Sequence, residues 1–290
     1  MELKRYTIDG TIDLVKIAIK RLRTYEGIAL SMSPQGYYVA YSGGKDSDCI
    51  RILCELANVK HELWHNHTTV DAPETVRYVR NIPNINISYP NISMWRLIVR
   101  KGMPPTQIVR YCCRDLKERN GDGRFVVTGV RKSESVNRAA REPVEIKGKT
   151  KKSKKMFVHD NDETKTSLYN CMAKSTLILN PIIEWDDNDV WDFLRYCGCK
   201  SNPLYQCGYK RIGCVGCPMA TVKRRHIDFE NNPKYKDMYI RAFDKMLKHG
   251  VESGKQYHDW ADGNQVFDWW ISKKAIPKEI EGQLNFDDYD

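Results

Sequence analysis

The sequence predicts an α/β fold, a parallel sheet flanked by helices, continued by a mainly helical C-terminal extension. Three observations predict it. Short apolar or β-branched runs alternate with helix-length stretches from residue 37 to residue 181, and strands alternating with helices imply a parallel sheet covered on both faces. A glycine-rich hexamer, Ser42-Gly43-Gly44-Lys45-Asp46-Ser47, directly follows the apolar run Tyr37–Tyr41. From Thr221 onward the chain is polar, aromatic and largely helical in pattern.

In order, Ile12, Val15, Ile19 and Leu22 stand at helical spacing among lysines and arginines, so residues 4–31 read as a helix. The first strand is 37–41, and the helix after the hexamer is 48–57. Residues 61–67 alternate and form a second strand. A helix at 74–81, a strand at 85–89 and a helix at 94–100 follow. Arg124–Thr128 is β-branched and apolar, hence a buried strand that ends at Gly129. Order resumes with the strand-like 177–181 and a capped helix at 188–196. The segment 145–165 breaks the pattern with Lys147, Lys149, Lys151, Lys152, Lys154 and Lys155 followed by the acidic Asp160–Glu163. It reads as a solvated, mobile excursion, either a loop kept soluble by charge or a basic arm for a nucleic-acid backbone. The expected organisation is a nucleotide-binding domain over 1–220 and a helical extension over 221–290.

The hexamer carries the sharpest chemistry. Adjacent glycines let the backbone approach an anion closely. The helix start behind them offers unpaired N–H groups and the positive end of its dipole. Lys45 adds a mobile charge, and Ser42 and Ser47 add hydroxyl donors. The spacing is not that of the longer Gly-x-x-x-x-Gly-Lys-Ser/Thr loop. A second phosphate contact is expected from Gly129 and from Arg131 and Arg138, just past a strand end, with Glu134 placed to hold a guanidinium.

Of ten cysteines, Cys112-Cys113 are adjacent, and Cys207, Cys214 and Cys217 follow far downstream, the last two as Cys-x-x-Cys. Such spacing suits an iron–sulfur cluster, a zinc ion or a redox-active disulfide at Cys214 and Cys217. Cys49, Cys54, Cys171, Cys197 and Cys199 read as packing thiols. The formal charge of +10 favours polyanionic partners, ATP and nucleic acid among them. No run approaches the ~20 apolar residues that span a bilayer. Met1–Gly10 has no apolar signal core, so the expected location is the cytoplasm. A closed twofold homodimer is the commonest assembly and leaves no mark in this sequence.

The hexamer closely resembles the PP-loop of ATP pyrophosphatases. With Val70–Thr75, Tyr111–Lys117, Thr128–Ser135, Asn180–Trp185, Asn202–Tyr205 and Arg211–Pro218, the chain from about 36 to 220 resembles the phosphoadenosine phosphosulfate reductase family within that superfamily. The resemblance implies a five-stranded parallel sheet with a nucleotide at its C-terminal edge. It also implies ATP cleavage to AMP and pyrophosphate, with Lys45, Asp46 and Arg131 as catalytic groups and Mg²⁺ on Asp46. Sulfonucleotide reductases use a cysteine in the C-terminal tail, whereas residues 218–290 hold none, and the first loop is intact. Both features are similar to DndC-like DNA-phosphorothioation proteins and thiolation enzymes. That branch implies a four-iron, four-sulfur cluster and an outside sulfur donor such as a cysteine desulfurase. Trp260, Trp269 and Trp270 then read as core residues, with nucleic-acid stacking as the alternative.

Overall fold

A computed structural model describes residues 3–7, 10–118, 120–147, 155–157, 176–254, 257 and 260–272. The chain divides into two compact units. The first comprises residues 1–91 and 113–214, the second residues 92–112 and 215–290.

The first unit opens with a hairpin of β1 (Lys4–Thr7) and β2 (Gly10–Asp13) before α1 (Leu14–Met32). The expected single helix therefore starts later. Asp13 ends the hairpin and caps the helix, its carboxylate accepting from the amides of Val15 and Lys16. The seven-stranded sheet has the order β5-β4-β3-β6-β9-β7-β8. Its strands are β3 (Tyr37–Ala40), β4 (His61–Asn66), β5 (Ile85–Ser88), β6 (Phe125–Val127), β7 (Val144–Lys147), β8 (Lys155–Phe157) and β9 (Thr176–Leu179). The first five positions in that order, β5 to β9, pair in parallel, as the sequence implied. The chain runs outward from β3 to β5 and then returns to β6 on the other side of β3. The ends of β3 and β6 therefore flank the point where strand order reverses, the place where open α/β sheets bind ligands.

The sheet is extended by two antiparallel strands, β7 on β9 and β8 on β7. The first residues of the lysine-rich segment thus enter the sheet instead of forming solvated chain. Val144 and Ile146 supply core side chains, and Glu145 is fully buried beside Arg141 and Asn180. Residues 148–154 and 158–165 of that segment lie outside the described residues.

One face of the sheet is packed by α1, α2 (Lys45–Ala57) and α6 (Asp187–Tyr196), the short α3 (Pro73–Arg80), α4 (Met94–Lys101) and α5 (Val136–Ala139) lying between in chain order. Leu22, Tyr25, Leu53 and Phe193 join Tyr37, Val39 and Phe125 in one core. The Tyr37 hydroxyl donates to the Leu22 carbonyl (2.7 Å) while its ring meets Phe125 edge-on. Cys49 and Cys54 are fully buried in this core, and Cys197 and Cys199 pack against it, as expected of packing thiols. Cys171 lies outside the described residues.

The second unit contains α4, α7 (Val222–Asn231), α8 (Pro233–Glu252) and α9 (Gly263–Ser272). Its core is aromatic: Tyr239, Phe243, Phe229, Phe267 and Trp270 meet at centroid distances of 4.7 to 6.1 Å. Trp270 is a core residue, stacked under the buried Arg225 guanidinium and donating to the Pro105 carbonyl. Among the described residues, no helix is long and apolar enough to cross a membrane.

Candidate active site

The hexamer forms the turn between β3 and α2. Gly43 has φ +75°, and a β-carbon there would stand 2.9 Å from Val79, so both conformation and space demand glycine. The helix starts at Lys45, earlier than expected, with Gly44 as its cap. The Ser47 hydroxyl donates to the Gly44 carbonyl (2.7 Å) and accepts from the Gly44 amide (3.1 Å). Ser47 therefore folds the loop onto the helix, and Ser42 Oγ lies 3.3 Å from its hydroxyl. The first helical amide, that of Lys45, donates to the Tyr205 hydroxyl at 2.8 Å. Asn202, fully buried, donates to the Gly43 carbonyl (3.0 Å) and Thr75 Oγ1 (3.2 Å), pinning the loop from outside.

Gly129, at the end of β6, lets the second loop close on the first. A β-carbon at Gly129 would lie 2.9 Å from Asp46 Cβ and 3.0 Å from the Asp46 carbonyl. Arg131 beyond it is buried, with Nε donating to Asp46 (2.8 Å), Nη2 to Asp187 (2.6 Å) and Nη1 to Ser133 (3.1 Å). Lys45 Nζ donates to the same Asp187 carboxylate at 2.9 Å and lies 3.9 Å from Asp46. Partial burial pushes the Asp187 carboxyl up, but the bonds from Lys45 and Arg131 outweigh it and hold it below the usual carboxylate range. These groups, with Ser133, Glu134, Lys210 and Arg211, line a cleft of about 390 Å³. Arg138 does not line it. Glu134 holds this guanidinium in an ion pair, and Arg211 approaches the same carboxylate at 3.8 Å.

A second hollow, of about 190 Å³, opens at the ends of β3 and β4, lined by Ser42, Trp64, His65, Thr68, Asp71 and Cys214 among others. His65 Nδ1 is 3.0 Å from the Tyr41 carbonyl, which makes Nδ1 the protonated nitrogen. Burial, the largest influence, lowers the imidazole's affinity for a second proton. Its Nε2 has no hydrogen-bond partner among the described residues and stands 3.9 Å from Asp71.

Behind the loop, the fully buried Asp48 accepts from the hydroxyls of Tyr41 (2.5 Å) and Tyr78 (3.0 Å). Burial pushes its carboxyl up to about 6, against the pull of those two donors. Between about pH 4 and 6 the folded protein then holds a proton that the unfolded chain releases, so this group's contribution to stability falls as pH rises. Asp48→Asn removes that dependence. Urea unfolding at pH 4 and pH 7.5 should show the variant gaining about 2 kcal/mol relative to the parent between the two. A constant difference would overturn the assignment.

Cys112, Cys113, Cys214 and Cys217 are half-buried and Cys207 is exposed. Cys214 Sγ lies 3.5 Å from Thr68 Oγ1. Among the described residues, no group of three or more His, Cys, Asp or Glu side chains is gathered to hold a metal ion.

The phosphoadenosine phosphosulfate reductase domain profile matches residues 36–220. The chain belongs to this family. Within the family's matched region lie the hexamer, Arg131, Tyr205 and all five of those cysteines. An uncharacterised protein of Methanocaldococcus jannaschii is 25% identical over 72% of this chain and 46% of its own length. Adenosine 5'-phosphosulfate reductase of Oceanobacillus iheyensis is 24% identical over 53% of this chain and 56% of its own. The chain spans less than half the length of the first curated relatives it matches. Among solved structures, the phosphoadenylyl-sulfate reductase of Candida auris aligns over 70% of this chain and 93% of its own, at 18% identity and a TM-score of 0.43.

Lys45, Asp46 and Arg131 are brought together as the family motifs led one to expect. Asp187, Tyr205, Asn202, Lys210 and Arg211 are additions. Tyr205 and Asn202 stood within a recognised motif with no role attached. Asp187 carried no local signal beyond its acidity at a helix start.

Proposed function

We propose that this protein is an ATP-dependent adenylylating enzyme that prepares a nucleic-acid substrate for sulfur transfer. One observation carries the reading: two buried cations, Lys45 and Arg131, face the same cleft as a glycine-rich helix start. Burying charged groups is expensive unless they are paired. The two carboxylates that pair them, Asp46 and Asp187, open onto the cleft, with Asp187 two-thirds exposed. Phosphate oxygens entering the cleft would take over these donors.

In this reading the triphosphate lies along the turn 43–47 and the adenosine fills the hollow beside Ser42, Trp64 and Thr68. A substrate oxygen attacks the α-phosphorus, the bond to the β-phosphate oxygen breaks, and pyrophosphate leaves carrying the electron pair. Lys45 and Arg131 stabilise that charge as it develops. Asp46 and Asp187 suit a Mg²⁺ ion arriving with the triphosphate, since Mg²⁺ takes one or two carboxylates plus phosphate oxygens. Hydrosulfide, released from a separate donor such as the persulfide of a cysteine desulfurase by a thiol that is oxidised to a disulfide, then attacks the activated atom, and AMP leaves with the electron pair.

The test is pyrophosphate and AMP formation from ATP, with and without DNA or RNA, on protein purified without oxygen. Nucleic-acid-stimulated release supports the reading, and absence of any ATP cleavage overturns it. A sulfonucleotide reductase is the second reading, favoured by the Oceanobacillus relative. Tight binding of adenosine 5'-phosphosulfate without ATP cleavage would select it. A cluster on Cys112, Cys113, Cys214 and Cys217, or with Cys207 in place of one, requires these thiolates to gather. Iron and acid-labile sulfide analysis decides it: about four irons per chain supports the four-iron cluster, and zinc or no metal removes it.

A further inference from the structure

The second unit carries a cavity of about 550 Å³ between α4 and α8, outside the candidate active site. Arg96 and Arg100 project from α4, one turn apart. Arg241, Lys245 and His249 project from α8, again at intervals of four residues. On a helix that interval is about 6 Å along the axis, so each row is a ladder of basic side chains. No carboxylate lines the cavity. All five basic side chains are exposed. Among the described residues none of the five has an ion-pair partner. The contrast with the first unit is direct: there, Lys45 and Arg131 are each answered by Asp46 or Asp187.

The floor is apolar but small. It consists of Trp95, Val99, Met238 and Ala242. The Trp95 ring packs edge-on against Tyr239 (4.9 Å) and at a tilt against Tyr235 (6.2 Å). Four apolar side chains can seat one or two flat rings, but not the long hydrophobic face of an amphipathic helix. A ring-sized apolar floor rimmed by unanswered cations is the chemistry of single-stranded nucleic acid, with bases on an aromatic platform and phosphates on arginine and lysine.

We infer that this cavity is a docking groove for single-stranded nucleic acid. The inference rests on the nucleic-acid part of the proposed function and is independent of its ATP chemistry. The groove names a surface on the second unit that would hold the strand, and it assigns α4 and α8 a role that the phosphate cradle does not share.

The test is binding of a fluorescently labelled single-stranded 20-mer to the full chain, read by anisotropy at several salt concentrations. The variant Arg96→Gln/Arg241→Gln/Lys245→Gln keeps a polar side chain at each position and removes three charges, none of them in the candidate active site. An unchanged far-ultraviolet circular dichroism spectrum and melting temperature report that the variant is folded. Expected are a loss of affinity of at least about 10-fold and a salt slope shallower by about 2, at about 0.7 per phosphate contact on a single strand. Equal binding by parent and variant would overturn the groove and leave the nucleic-acid reading standing. No binding by the parent would overturn both. Binding of a synthetic peptide of residues 276–290, lost in the variant and in competition with the 20-mer, would assign the groove to an acidic peptide and overturn the inference.

Discussion

Lys45→Ala is expected to lower pyrophosphate release from ATP by about 100-fold or more, the scale on which a single preorganised donor to a developing oxyanion acts. The side chain is only 6% exposed, and its ammonium group is within reach of both Asp187 and Asp46. Its position at the first residue of α2 puts the charge where the helix dipole also favours an anion. Folding should change little. Asp187 keeps its bond to Arg131 and is two-thirds exposed, so losing Lys45 does not strand a buried carboxylate. Lys45→Met, which retains the aliphatic stem, should be equally inactive. Activity in the methionine variant close to the parent's would mean that packing, not charge, is what Lys45 supplies.

The second large effect is expected from Gly129→Ala. The added methyl would meet Asp46 Cβ at 2.9 Å and the Asp46 backbone at 3.0 Å. These atoms belong to the first turn of α2 and cannot swing aside like the tip of a long side chain. Overpacking of this kind costs about 1–3 kcal/mol, or about 2–4 °C of Tm per kcal/mol in a chain of this size. It also forces apart the two loops whose ends carry Asp46 and Arg131, so activity should fall further than stability. Gly213→Ala is the control, since a β-carbon there meets nothing within 4 Å. Equal melting temperatures for the two variants would show that the loops are not packed as described.

The parallel strands were legible because each is a short β-branched or aromatic run ended by a polar or glycine-containing turn. The hairpin before α1 was not. Ile12 falls in phase with Val15 and Ile19, so the helical period ran through Asp13, the residue that stops the hairpin and caps the helix. At β7 the lysines from 147 onward dominated the composition and hid Val144 and Ile146. A fully buried glutamate between them is the opposite of what charge patterning predicts, and its bonds from Arg141, Asn180 and the Glu142 amide account for it. The gathering of α4 with the C-terminal helices leaves no local trace, because α4 and α8 are more than 130 residues apart in the chain. The site divides in the same way. Lys45 and Arg131 follow motif spacing, whereas Asp187 and Tyr205 reach the cradle from 142 and 160 residues away from Lys45.

The Tyr205 hydroxyl rests on the Lys45 amide, and that amide has one proton to give. A phosphate oxygen seated on the same amide must displace the hydroxyl, and with it the turn Pro203–Tyr205. Nucleotide affinity and the position of that turn are therefore two readings of a single equilibrium. Whatever steadies the turn weakens the nucleotide, and the nucleotide loosens the turn by the same factor. Trp191, edge-on to the Tyr205 ring at 4.9 Å, becomes a natural reporter, and its fluorescence should register occupancy of a cradle it does not touch.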